Sequence, residues 1–510
     1  MPQWRHACVL LAALTSLFLA IILIRTVTLS TPKCTVHALW ERIGLLTPPE
    51  MDEDDSEFIS TLVQAVTIPT VSHSKDVYNT TAMREFTAFL RKSFPTIFSS
   101  NLVTYETVAE YSHLFKVQGL DSQRTPYLLA AHLDVVPALP EGWEFPPFSG
   151  ALQGGFIYGR GTLDDKQSVV GLLQALEMLL DKGFKPEKTF YIAIGHDEEV
   201  GGLDGARSIA TLLSKRNISL DFVLDEGSII LEGGIPGLKK PVAIIGVTEK
   251  GMLMIKLRVN QKPGHSSMPP RETSIGILSR AVSRIEEQRM PLMFGLGPEK
   301  DLLEYLASEF SFPLGIIMSN LWLFSPLVAR FLERTPSGNS LVRTTTAVTE
   351  FHAGMKSNVL APVAEATVNF RIHPAQTADE VLELVKHIIS DERVNITTIS
   401  SSEPLPISPI GTDVGYIAIT EAIQETFPGM LVAPGICIGA TDTKHYKGLT
   451  SALYRFNPIW NHPADLPRYH GINERISVKN YHQNIKFYFN LIQIAGQHDF
   501  APVHSHSSEL

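Results

Sequence analysis

In the stretch LLAAHLDVVP, Leu128–Pro137, a histidine and an aspartate stand two residues apart just where an apolar run would continue. Residues i and i+2 of a strand share a face, with roughly 6–7 Å between their backbones. His132 and Asp134 can therefore hydrogen-bond to each other or hold one ligand jointly. Alone, such a pair reads as an ion pair capping a strand. More acids and a histidine follow: Asp164 and Asp165 in GRGTLDDK, Glu198 and Glu199 in GHDEEVGG, Asp225 and Glu226 closing DFVLDE, and His470 in RYHGINE. Each has an ordinary explanation as a helix cap, a solvated loop or a surface residue. Together they would send carboxylates and imidazoles from three successive strand ends into one crevice, and such a crevice needs cations to be stable. Oxygen and nitrogen donors without thiolate suit zinc, and one carboxylate can bridge two ions about 3.5–4 Å apart. Five ligands then suffice for two metals.

The elements that would position these groups are legible in the apolar pattern. YLLAA (127–131), TFYIAIG (189–195) and DFVLD (221–225) are short runs suited to buried strands, and SVVGLLQALEMLLDKG places Val169, Leu172, Leu173, Leu176, Leu179 and Leu180 on one helical stripe. Strand alternating with helix predicts an α/β domain with a largely parallel or mixed sheet. From Gly251 the order becomes strand, helix, two strands, helix and strand, a β-α-β-β-α-β unit of the ferredoxin-like kind. After about Pro404, LVAPGICIGA and a closing helix resume the first domain, so the second is inserted in it. The expected boundaries are an export segment over 1–30, a linker over 31–56, a catalytic domain over 57–250 and 404–497, a lid over 251–403 and a flexible tail over 498–510. Within the lid, residues 290–340 form an apolar excess broken by Pro and Asn, read as lid core or an oligomer contact ahead of an acyl-binding surface.

At 510 residues, with 44% hydrophobic and 19% charged residues, the chain is a packed globular protein of more than one domain. A formal net charge of -10 without a long Lys/Arg run argues against nucleic acid as partner. Arg5 and His6 precede 18 apolar or small residues, Ala7 to Ile24, a segment that serves as a signal peptide or an uncleaved anchor. Sequons at Asn79, Asn217 and Asn395 fit passage through the secretory pathway. Of three cysteines Cys8 lies in the export segment, which leaves one conceivable disulfide, Cys34 with Cys437.

HLDVVP, GRGTLDDK, GHDEEVGG and PGHSSMP, in this order, resemble the di-zinc metallopeptidase family of aminoacylase, carnosinase, carboxypeptidase G and carboxypeptidase S, from about residue 55 to 495. SNLWLF, YRFNPI and RYHGINE are most similar to its N-fatty-acyl-amino-acid synthase/hydrolase branch, with the carboxypeptidase S branch next. The resemblance implies a di-zinc exopeptidase-like catalytic domain with an inserted lid that serves dimerisation in many members. It implies that His132 and Asp225 hold one zinc ion, Glu199 and His470 the other, and that Asp164 bridges them. Asp134 would orient His132, Glu198 would be the general base, and His265 of PGHSSMP would stabilise the oxyanion. Arg371 and Asn358, and less directly Thr441 and Asp442, would bind substrate. Glu198 and Glu199, as neighbours in an extended segment, would face opposite ways. The implied activity is hydrolysis and reversible synthesis of N-fatty-acyl amino acids from fatty acids and amino acids, by a secreted enzyme that could also contact lipoprotein or membrane. The alternatives are a membrane-anchored carboxypeptidase and, with every expected ligand present, less readily a non-catalytic lipid carrier.

Overall fold

A computed structural model describes residues 2–29, 45–51 and 56–497 of the chain. Most of the expected linker, Cys34 and the tail lie outside the described residues. The chain divides into two compact units: one holds 33–247, 408–434 and 441–510, the other 248–407 with 435–440 and the N-terminal helix.

The first unit is organised by a ten-stranded mixed sheet. Its centre is four parallel strands, in the order Leu453–Arg455, Val223–Asp225, Tyr127–His132 and Phe190–Gly195. Every residue of the last two is buried, as expected for parallel strands covered on both faces. His132 is in register with Gly195, and Asp225 with Arg455, so the carboxyl ends of the four strands come out along one edge. Tyr127 stacks between Phe190 and Phe222, with ring centroids 5.2 and 5.1 Å away. The helix Lys166–Asp181 is buried over most of its length and packs on Val478–Gln497 and Ser56–Thr67. The predicted strands and this helix are found within one or two residues of their expected ends.

The second unit carries a four-stranded antiparallel sheet in the order Thr345–Ala353, Val363–Ile372, Gly251–Asn260, Asn395–Ser402. With the helices Ser274–Glu287 and Ala378–Ile389 this is the β-α-β-β-α-β unit read from the sequence. Alternation is strict: Leu253, Ile255, Leu257 and Val259, opposite Ala364 to Ile372 at every second position, enter one core with the two helices. Met252, Lys256, Arg258 and Arg371 fall on the other face. Thr377 and Glu380 form a reciprocal capping box that fixes where the second helix begins. The apolar excess over 290–340 folds into four short helices, Glu299–Tyr305, Leu314–Ser319, Leu321–Leu332 and Pro336–Val342. Pro326 sits inside the third, beyond its first turn, and cannot donate to the Trp322 carbonyl one turn earlier.

Candidate active site

His132 ends its strand with Nδ1 3.0 Å from the main-chain carbonyl of Asp134 and 3.4 Å from the Asp134 carboxylate. The carbonyl can only accept, so Nδ1 donates and Nε2 is turned to the crevice. There Nε2 lies 2.9 Å from Asp164 Oδ1. The other oxygen of Asp164 is 3.0 Å from His470 Nε2, and the same nitrogen is 3.2 Å from Glu199 Oε2. Asp164 is thus held between two imidazoles, one from a strand end and one 306 residues further along the chain.

Donor atoms of His132, Asp164 and Glu199 lie within 4.8 Å of one another, and so do those of His132, Glu198 and Glu226. The second oxygen of Glu199 is buried with no hydrogen-bond partner among the described residues. An acceptor left over in this way, among oxygen and nitrogen donors only, fits a divalent cation. The electrostatics agree. Burial opposes the charge on His132, but hydrogen bonds with Asp134 and Asp164 outweigh it and hold the imidazole well above its usual range. Hydrogen bonds with Asp164 and Glu199 push His470 up to about 10. Burial likewise works against ionised Asp164, yet His132 and His470 keep it well below the carboxylate range. In the protein alone, the two imidazoles and Asp164 favour one another's charged forms.

Glu198 and Glu199 differ from the extended segment expected of them: they open a short 3-10 turn, Glu198–Val200. The cause is Asp134, whose two carboxylate oxygens accept the N–H groups of Glu198 (3.0 Å) and Glu199 (3.2 Å). One buried acid therefore fixes both the histidine and the turn. Burial raises the Glu198 carboxyl well above its ordinary value, and Asp442, Glu199 and Asp164 add to the shift. Of the pair closing the Val223–Asp225 strand, Glu226 reaches the His132–Glu198 group, whereas Asp225 is in neither group and accepts the Glu226 N–H at 2.9 Å.

Of two anchors behind Asp164, Asp165 was named beside it in the sequence and Glu474 was not singled out. Glu474, fully buried, accepts N–H groups of Gly161 (3.0 Å), Leu163 (2.8 Å) and Asp164 (3.3 Å) and pairs with buried Arg160. It holds the segment that presents Asp164. Asp165, also fully buried, accepts from Gln167 (3.0 Å) and Asn457 (3.1 Å), which turns it away from the role of its neighbour. Asn457 belongs to YRFNPI, so the signal was present as a motif without an assigned task.

Asp442 is buried against Gly195 and Gly202; a Cβ at Gly202, whose φ is +68°, would come within 1.9 Å of its Oδ1. Thr441 bonds Thr443 at 2.6 Å, and Thr443 receives the buried Arg455 guanidinium at 2.7 and 3.0 Å. Both residues are thus buried beside the glycines that flank the Glu198–Val200 turn. On the lid, His265 and Asn358 are brought side by side by the pairing of Gly264–His265 with Val359–Leu360, and Ser266 N donates to the Asn358 carbonyl at 3.2 Å. Both are exposed, and the His265 Nδ1 lies 2.7 Å from Ser267 Oγ. Arg371 stands on the open face of the lid sheet, level with Met252 and Thr345. Among the sequons Asn217 and Asn395 are exposed, while Asn79 caps a helix through its side chain, accepting Ala82 N–H and donating to Pro69 O. Cys437 is buried; Cys34 lies outside the described residues.

The family model of peptidase family M20/M25/M40 matches residues 128–494. N-fatty-acyl-amino acid synthase/hydrolase PM20D1 of Xenopus tropicalis is 51% identical over 492 residues, covering 96% of this chain and 95% of that protein. PM20D1 of Mus musculus is 54% identical over 462 residues, covering 90% and 92%. A probable carboxypeptidase S-like 2 of Dictyostelium discoideum is 41% identical, over 89% of this chain and 88% of the relative. Among solved structures, an M20 metallo-carboxypeptidase of Sulfolobus solfataricus superposes with a TM-score of 0.63 at 19% identity, over 88% of this chain and all of that one. Human carnosine dipeptidase 1 gives 0.61 at 16%, over 88% and 98%. The chain belongs to peptidase family M20/M25/M40, and the α/β catalytic architecture read from its motifs is that family's.

Proposed function

We propose that this M20/M25/M40 enzyme hydrolyses the amide bond of N-fatty-acyl amino acids and, since a catalyst speeds both directions, joins fatty acid and amino acid when their concentrations favour it. The names and extent of the relatives that are 51–54% identical support the substrate class. The observation that carries the chemistry is Asp164 held between His132 and His470 beside Glu198 and Glu199.

His132 with Glu226 would hold one divalent ion, Glu199 with His470 a second, and Asp164 would serve both; Glu226 here stands where the resemblance implies Asp225. Zinc suits these donors, and when bound it supplies charge that polarises a carbonyl and makes a water more acidic. Glu198 takes the proton of the attacking water and delivers it to the departing amine nitrogen. A carboxyl whose pKa burial has raised is suited to hold that proton between the two steps. Asp134 keeps Glu198 in place through its backbone and His132 in one tautomer. From the lid, His265 would donate to the oxyanion, and Arg371 with Asn358 would take the free carboxylate of the amino acid. The helices over 299–342 would receive the acyl chain, each buried CH₂ contributing about 0.8 kcal/mol. Export, with the N-terminal helix as leader or anchor, sugars at the three sequons and pairing of lids into a dimer complete the proposal.

Carboxypeptidase action is the second reading, favoured by the Dictyostelium discoideum relative. Hydrolysis rates for N-oleoyl-phenylalanine, N-acetyl-phenylalanine and a plain dipeptide separate the two. We expect preference for the oleoyl compound, lost on treatment with a chelator. Cleavage of the dipeptide without the oleoyl compound would overturn the acyl reading in favour of the peptidase.

A further inference from the structure

Within the lid unit, the end of the helix Ser274–Glu287, the helix Pro336–Val342 and the start of the strand Thr345–Ala353 line a cavity of about 400 Å³. Small-molecule sites span roughly 300–1,000 Å³. Three arginines line it, Arg289, Arg334 and Arg343, against two acids, Glu286 and Glu333, while Ile285 and Met290 supply an apolar flank. Arg343 is 5% exposed and gives N–H groups to Met290 O at 2.8 Å and to Glu333. A guanidinium carries five N–H donors, and Nε of this one is buried with no partner among the described residues. Burial holds the Arg343 guanidinium below its usual range; Glu333 works against that shift and Arg289 adds to it. Positive charge here is therefore incompletely compensated. Asn339, which also lines the cavity, has its Oδ1 buried without a partner among the described residues.

An unmet donor and an unmet acceptor are each costly to a fold, and a ligand that brings both an acceptor and a donor relieves both. The walls are pinned before any ligand arrives. Lys250, itself buried, donates to the main-chain carbonyls of Ser340 (2.7 Å) and Arg343 (2.9 Å), and the Met293 N–H donates to Val342 O at 2.8 Å. The cavity is thus preformed, which lowers the cost of binding in it. A simple anion would answer the arginines and leave Asn339 and the acids unmet, and a simple amine would do the reverse. A zwitterion answers both. We propose that this cavity binds a free α-amino acid, with its carboxylate on Arg343 and the neighbouring arginines, its ammonium on Asn339 and the flanking glutamates, and its side chain against Ile285 and Met290. A free amino acid is also what the proposed hydrolysis would release, but the inference rests on the cavity alone and stands independently of the substrate assignment.

The test is photolabelling of the full chain with photo-leucine, an α-amino acid that carries a diazirine, followed by mapping of the labelled peptides by mass spectrometry. We expect label within 285–290 and 333–346, suppressed about tenfold by an excess of free leucine. N-acetyl-leucine, leucine methyl ester and inorganic phosphate, none of which pairs an ammonium with a carboxylate, should leave it in place. Two substitutions should each cut this label about tenfold while urea midpoints show a folded chain: Arg343→Lys, which loses the planar fork, and Asn339→Leu, which loses an oxygen that serves no partner in the fold. Should Arg343→Lys fail to fold, Asn339→Leu and the competitors decide. Label confined to other peptides would overturn the proposal, as would label in these peptides that persists in Asn339→Leu. Suppression by phosphate or N-acetyl-leucine as strong as by leucine would also overturn it, since the cavity would then take an anion alone.

Discussion

In the ten-stranded sheet, parallel strands end together, and whatever follows each strand is delivered to the same edge. His132, the Glu198–Glu199 turn and Glu226 meet there although they are far apart in sequence, and Asp134, Asp165 and Glu474 behind them are fully buried. In the four-stranded lid sheet the strands run antiparallel, and charge is spread along one face instead. Arg258 and Glu365 pair across that face at 2.7 Å with side chains 45% and 27% exposed. The parallel arrangement concentrates acids until backbone N–H groups, histidines and cations must compensate them. The antiparallel one leaves its charges to water, which screens them.

The sharpest break in this comparison is Glu198→Gln. It removes the proton carrier and keeps the ligands, so kcat should fall about 10²–10⁴-fold while metal content, read by elemental analysis, stays at the wild-type level. Next comes a matched pair of substitutions. Glu474→Gln strips a buried partner from Arg160 and should cost about 3–5 kcal/mol in urea unfolding, whereas Glu365→Gln on the lid should cost less than about 1 kcal/mol. Equal losses would erase the distinction between the two sheets.

A smaller effect concerns pH. Burial lowers His113 to about 3 and His445 to about 4, both in the catalytic unit. A histidine depressed in the folded state is neutral there while the unfolded chain takes up a proton below about pH 6.5. Stability from these two groups is therefore full above that pH and is lost as pH falls from about 6.5 towards 4, by at most ~1.4 kcal/mol per pH unit for each. Urea midpoints at pH 7 and pH 5 for wild type and His113→Gln check the sign: the variant should lose less on acidification.

Much of this comparison was readable in the sequence where the signals are local. Alternation over 252–260 and 365–373 defined the lid strands, and the run LLAA before His132 defined a buried one. Choices that depend on how a chain leaves a strand were not readable. Asp225 and Glu226 are adjacent, and only the exit of the backbone decides which carboxylate reaches His132. Glu198 and Glu199 gave no sign of a 3-10 turn because the acid that makes it, Asp134, is 64 residues away. Glu474 was hidden for the same reason, 310 residues from the Asp164 N–H it receives. The excess over 290–340 could be recognised as apolar, but its seating of the N-terminal helix through Asn320 needs two segments 298 residues apart.

The central claim is that the crevice acids are compensated by cations, and calorimetric titration of zinc into chelator-treated protein tests it most directly when proton release and amide hydrolysis are followed in parallel. The account predicts two ions per chain, release of protons as His132 and His470 exchange hydrogen for metal, and hydrolysis that rises with occupancy. Protein that takes up no zinc, or that fills both sites without gaining amide hydrolysis, would contradict it.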